Sequence, residues 1–134
     1  MAGYSGTPLA KKLGLKPGCR ILPFQPPAHY RTLLSPLPEG AKIVSRLDDT
    51  IDIVHVFATR KVALASLLSA SLGKIRRDAA IWVSWPKKAS KAPTDITENT
   101  IREIALPLGL VDIKVCAVDD TWSGLKLVIR KDRR

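Results

Sequence analysis

Residues 79–88, Ala79-Ala80-Ile81-Trp82-Val83-Ser84-Trp85-Pro86-Lys87-Lys88, run an apolar strand directly into a basic loop marked by proline. A strand of that size spans ~20 Å. The loop continues through Lys91 and Pro93 to Thr94 and enters Asp95-Ile96-Thr97-Glu98-Asn99, where a helix opens. Asp95 and Glu98 have the spacing of a capping box, with Thr94 and Thr97 as the alternative cap. Strand, loop and helix in this order are how open α/β sheets build binding edges, because ligands collect outside the carboxyl ends of parallel strands and at helix N-termini.

Upstream of this stretch, Val62, Leu64, Ala65, Leu67, Leu68, Ser71 and Leu72 follow helical spacing between Arg60 and Leu72, and Gly73 supplies the stop. Before it, Ile51-Asp52-Ile53-Val54-His55-Val56-Phe57 is nearly continuous and β-branched, the habit of a central parallel strand buried on both faces. Downstream, Ile101, Ile104, Ala105 and Leu108 form one face of the helix that Gly109 ends. A strand over 111–118, a turn over Asp119-Asp120-Thr121-Trp122-Ser123-Gly124 and a last strand over 125–130 close the chain, followed by the basic tail Lys131-Asp132-Arg133-Arg134.

The N-terminal part is shorter in its elements. Thr7 as N-cap, Pro8 at the first helical position and Gly14 as stop predict a short helix whose Leu9 and Leu13 share a face. A strand is expected over 19–24, ending or bulging at Pro23, which has no N–H for a ladder. Tyr30-Arg31-Thr32-Leu33-Leu34 predicts a short helix stopped by Pro36 and Pro38, and residues 41–47 predict the second strand. Alternating strands and helices imply a mostly parallel sheet of about six strands, covered on both faces, with right-handed crossovers. The last connection is too short for a crossover, so the last strand must be antiparallel, a hairpin at the sheet edge with Lys126 and Arg130 guarding it against open-ended pairing. The fold class is therefore α/β, a three-layer Rossmann-like sandwich forming one domain over 1–134, with residues 1–15 as a helical extension docked on it.

Composition bounds the function classes. The chain has 134 residues, 46% hydrophobic and 25% charged, which describes a folded globule and not a disordered tail. Its 22 Lys plus Arg against 12 Asp plus Glu leave a formal charge of +10, favouring contact with phosphate-bearing or acidic partners. No apolar run approaches the ~18 residues of a membrane span. The first residues lack the basic-then-apolar pattern of a signal peptide, so a cytoplasmic location is expected. Cys19 and Cys116 stand alone among apolar residues and read as packed thiols, and no metal-ligand spacing, nucleophile-base pair or phosphate loop is present.

The strand order, with Lys16-Pro17-Gly18 before the first strand, Leu72-Gly73 before Ala80-Ile81-Trp82-Val83 and a helix ending Pro107-Leu108-Gly109-Leu110, resembles a shortened class I methyltransferase fold. That resemblance implies an acidic, glycine-rich cofactor loop after the first strand, where this chain has Pro23-Phe24-Gln25-Pro26-Pro27. The ribose-binding acid it implies after the second strand falls on Asp48 or Asp49, in a turn so short that one strand-helix unit is missing. Over essentially the whole chain, Tyr4-Ser5-Gly6-Thr7-Pro8-Leu9-Ala10-Lys11-Lys12-Leu13-Gly14, Trp85-Pro86-Lys87-Lys88-Ala89-Ser90 and the segment from Leu108-Gly109-Leu110 to Thr121-Trp122-Ser123-Gly124-Leu125 are similar to a family of small bacterial proteins designated domain of unknown function 3052. That resemblance implies no reaction.

If the parallel strands share one direction, their carboxyl ends gather Gln25 and His29, Ala58 and Thr59, Lys87 and Lys88, the helix opening at Thr94 and Asp95, and the bend carrying Asp119 and Trp122. The topological switch point is expected between the first and third strands, next to Phe24 and Ala58. Lys87 and Lys88 as point charges, Trp122 as a stacking wall and the helix N-terminus suit an anionic ligand. Each also has a plainer role open to it: a solvated loop for the lysines, core closure for Trp122, turn bonding for Asp119 and Asp120, and a paired core imidazole for His55. Two functions follow. The first is a binding module with no cofactor, engaging a phosphorylated small molecule, nucleic acid or acidic protein. The second is a divergent S-adenosylmethionine-dependent methyltransferase with an altered loop, using Asp119 or His29 as base.

Overall fold

The computed structural model describes residues 7–134; the Tyr4-Ser5-Gly6 part of the N-terminal motif lies outside the described residues. Six strands form one sheet in the order β2-β1-β3-β4-β6-β5, built from β1 (Arg20–Phe24), β2 (Lys42–Ile43), β3 (Ile53–Phe57), β4 (Ala80–Pro86), β5 (Leu110–Ala117) and β6 (Trp122–Ile129). β1 pairs in parallel with β2 and β3, and β3 with β4, while β6 runs antiparallel to both its neighbours. The expected reversal of the last strand is present, but β6 lies inside the sheet and β5 is the edge. Lys126 and Arg130 therefore do not guard the edge; a register irregularity between Asp112 and Lys114 on β5 does that work.

Helices α3 (Lys61–Leu72) and α4 (Glu98–Ala105) cover one face, burying Leu64, Leu68, Ile101 and Ala105 against Val54, Val56, Ile81, Val83, Leu125 and Leu127. Helices α1 (Leu9–Lys12) and α2 (Tyr30–Leu34) cover the other, burying Leu9, Leu13, Tyr30 and Leu34 with Ile53, Phe57 and Trp82. This is the expected three-layer arrangement. The N-terminal helix begins one residue later than expected, with Pro8 and not Thr7 at the N-cap, and ends before Gly14, whose φ of +85° needs a residue without Cβ. Trp82 ties that helix down by donating its indole N–H to the Leu13 carbonyl at 3.0 Å.

Pro23 neither ends nor bulges β1: it pairs in register with His55, and the strand continues to Phe24. The Ile21 carbonyl accepts from Val44 N–H on the β2 side, and residues two apart on a strand face the same neighbour. The missing N–H of Pro23 thus points towards β2, which stops at Ile43 and asks nothing further of it. This also explains why β2 is two residues long where the sequence pattern suggested seven.

Residues Ile53 to Ala58 and Ala79 to Pro86 are all buried, as a two-sided central pair requires. His55 is fully enclosed there, its Nδ1 2.7 Å from the Tyr30 hydroxyl and its Nε2 2.7 Å from the Ser84 hydroxyl. Burial pushes His55 down to about 3 and the Tyr30 phenol up, so both are neutral at ordinary pH. An unfolded chain takes up a proton at His55 from about pH 6.5 downwards, whereas the folded chain does so only near pH 3. The contribution of His55 to stability is therefore complete above pH 6.5 and lost as pH falls, at about 1.4 kcal/mol per pH unit for one proton. Thermal unfolding between pH 7 and 5 should show this decline, and the variant His55→Gln should flatten it despite a lower starting Tm.

Candidate functional site

All the parallel strands point their carboxyl ends at one rim, and the switch point falls where β1 parts from β3, as expected. A cavity of about 360 Å³ opens there, lined by Gln25, Thr59, Arg60 and Trp122 over a floor of Phe57, Ala58, Ala63 and Leu67. The floor is rigid. Trp122 meets Phe57 edge-on at 5.1 Å between ring centroids, and Phe57 in turn lies 5.5 Å from Tyr30 at an interplanar angle of 89°. Trp122 thus closes the core and walls the cavity at once. It is the first residue of β6 and not part of the turn, which shortens the bend to Val118–Thr121.

That bend is organised by Asp119, which is 7% exposed. Its Oδ1 accepts from the N–H groups of Thr121 and Trp122, both at 2.8 Å, an Asx-type turn that aims the Trp122 side chain. Its Oδ2 lies 3.1 Å from His29 Nε2, so the carboxylate is engaged on both oxygens and His29 is held at the rim. Lys87 is drawn to the same rim through its backbone, donating its N–H to the Thr121 carbonyl at 2.7 Å.

The other predicted residues fall elsewhere. Lys88 and Thr94 border a second cavity of about 400 Å³ with Trp85, Ile96 and Glu98, so the paired lysines do not meet Gln25 and Trp122 in one pocket. Helix α4 does not open at Thr94 or Asp95: its N-cap is Thr97, whose hydroxyl accepts from Thr100 N–H at 3.2 Å, and Glu98 puts a carboxylate in the first turn. An anion finds no welcome at that N-terminus. Thr94 instead donates its hydroxyl to the Thr59 carbonyl at 2.8 Å, and Asp95 Oδ1 accepts from Lys61 N–H at 2.7 Å. Asp95 therefore caps α3 from a distant loop, which is why Arg60, the N-cap residue of that helix, needs no capping side chain of its own. Arg60 is the charged cavity residue that sequence reasoning missed. Its signal was position, directly after the carboxyl end of β3 and ahead of a helix.

Solved structures with this architecture include an S-adenosylmethionine-dependent methyltransferase from Aquifex aeolicus, with a TM-score of 0.69 at 16% identity over 91% of this chain and 88% of that one. Aeropyrum pernix fibrillarin with natively bound S-adenosyl-L-methionine has a TM-score of 0.62 at 11% identity, over 93% of this chain and 70% of that one. Magnesium protoporphyrin IX methyltransferase from Synechocystis PCC 6803 has a TM-score of 0.59 at 11% identity, over 91% and 74%. At these identities the likeness concerns the fold: the chain has a Rossmann-like, methyltransferase-type α/β fold. No protein-family model matches the sequence. No curated protein matches it either.

The cofactor that this fold implies does not fit the residues present. The first crossover carries Gln25 at φ +56° between Phe24 and two prolines, where a glycine would let backbone approach a ligand. Among the described residues no carboxylate lines the cavity, and its charged side chain is the cation Arg60, which repels a sulfonium centre. Asp48 cannot serve the ribose: it bonds Thr50 N–H and hydroxyl, and Thr50 accepts from Arg20 at the amino end of β1, the opposite rim. Among the described residues no group of three or more His, Cys, Asp or Glu is placed to hold a metal ion.

The two caps give a direct test of this reading of Asp95. Asp95→Ala should destabilise the fold by about 1 kcal/mol through α3, and Thr97→Ala by a similar amount through α4. Because the caps serve different helices, the double variant should lose close to the sum in denaturant unfolding.

Proposed function

We propose that this protein is a binding module of methyltransferase-like fold, taking a phosphorylated small molecule with a planar ring into the cavity at the switch point. The observation that carries this reading is the composition of the lining: a guanidinium, an amide and a hydroxyl from Arg60, Gln25 and Thr59, beside the indole of Trp122 and no acid. Arg60 supplies a planar fork for a phosphate, and Trp122 supplies a face or edge for the ring. Lys87, tied to the bend at Thr121, adds positive potential at the rim. Asp119 is engaged on both oxygens, so it serves to place Trp122 and to orient His29, whose half-exposed ring stands at the rim.

A second reading, methyl transfer from S-adenosylmethionine through an altered loop, is favoured by the fold and by the cofactor bound in two of its structural neighbours. Thermal-shift measurement with nucleoside monophosphates, sugar phosphates and S-adenosylmethionine separates the two. We expect saturable stabilisation by a nucleoside monophosphate that Arg60→Ala and Trp122→Ala each reduce by about tenfold or more in affinity, equivalent to about 1.4 kcal/mol or more. Saturable stabilisation by S-adenosylmethionine, lost on substitution of Gln25, would establish the second reading in place of the first.

A further inference from the structure

A second positively charged feature lies on the face of the sheet crossed by α1, away from the cavity. Lys114 of β5 and Lys126 of β6 are direct cross-strand partners, and like charges in that relation destabilise a ladder. Lys126 is also the register partner of Trp82, and its ammonium stands 3.8 Å from where a Cβ on Gly14 would be, just past the end of α1. Lys12 reaches across to donate to the Ala117 carbonyl at 3.2 Å. Between these elements runs an open groove of about 470 Å³ bordered by Lys11, Lys12, Lys114, Val115 and Cys116.

Among the described residues, Lys11, Lys114 and Lys126 form no ion pair. Asp112, the acid within β5, is turned to the other face and bonded to Arg102 of α4 at 2.9 Å. The groove's field is felt by Cys116, whose thiol is pushed up by burial while Lys12 and Lys114 pull it the other way.

We propose that the groove between α1 and β5 binds the phosphodiester backbone of a nucleic acid without reading its sequence. The choice of partner follows from how the charge is arranged. The ammonium groups are spread over α1, β5 and β6, and Lys11 and Lys12 sit in the last turn of their helix, so no set of backbone donors converges on one phosphate. Among the described residues the groove holds lysines and no arginine fork, which suits a repeating line of charge better than a single carboxylate or phosphate held in one geometry. This site is separate from the switch-point cavity, and neither proposal depends on the other.

The test is fluorescence anisotropy of a labelled single-stranded oligonucleotide of mixed sequence, titrated between 50 and 200 mM salt. The wild-type protein should bind at 50 mM salt with an affinity that falls as salt rises. The variant K114Q/K126Q should flatten the log-log salt slope by about 1.4, roughly 0.7 for each ammonium removed. It should also melt at a higher temperature than wild type, because the opposed charges are gone; a merely structural pair of lysines would not give weaker binding together with a firmer fold. The control K42Q/K74Q, which removes the same charge elsewhere on the surface, should keep the wild-type slope. Absence of binding at 50 mM salt, equal losses in the two double variants, or tighter binding of polyglutamate than of the oligonucleotide would each overturn the proposal.

Discussion

Two neighbouring strands with no exposed side constrain everything else in this molecule. Every polar group on β3 and β4 must find its partner inside the protein, and the Tyr30-His55-Ser84 chain of 2.7 Å hydrogen bonds is how the one imidazole among them does so. Because the faces of the pair are used up by α1 and α2 on one side and α3 and α4 on the other, chemistry is left to the rims and the open edge. The carboxyl rim holds the cavity, and the edge strand β5 holds the lysine groove.

The rim is built by pieces of chain that hold each other rather than by any single motif. Asp119 fixes the bend that presents Trp122, Thr121 receives Lys87, and the Thr59 carbonyl accepts from both Thr94 and Asp95. Asp95 in turn caps α3, whose first turn contributes Ala63 to the cavity floor. What stands at the first crossover is proline and a left-handed glutamine, so the rim keeps the shape of a methyltransferase-type edge without a glycine at that place.

Much of the fold was legible in the sequence because its signals are periodic. The unbroken apolar run of β3, the helical spacing of α3 and the short return between β5 and β6 led to the right layers and the one reversed strand. What misled was local chemistry whose partner lies far away in sequence. Asp95 looks like the cap of the helix it precedes, yet it caps α3 across 34 residues of chain; Pro23 looks like a strand breaker, yet its missing donor faces a strand that has already ended. The edge assignment failed for a related reason: hairpin pairing tells which strand is antiparallel, not which member of the hairpin inserts beside β4. Gln25, Thr59 and Trp122 came together because each follows or begins a strand at the carboxyl rim, whereas Arg60 was passed over as an ordinary helix-leading residue.

The central claim is that the switch-point cavity receives a phosphate-bearing ring compound against Trp122. Its most direct measurement is the response of the three indole N–H resonances in a nitrogen-15 correlation spectrum during titration with adenosine monophosphate and, separately, S-adenosylmethionine. A cavity that takes a phosphorylated ring gives a saturable shift of the Trp122 indole with adenosine monophosphate, with the Trp82 indole, bonded to Leu13, unmoved and no saturable change with S-adenosylmethionine. A Trp122 indole that ignores the nucleotide and shifts saturably with S-adenosylmethionine would contradict it.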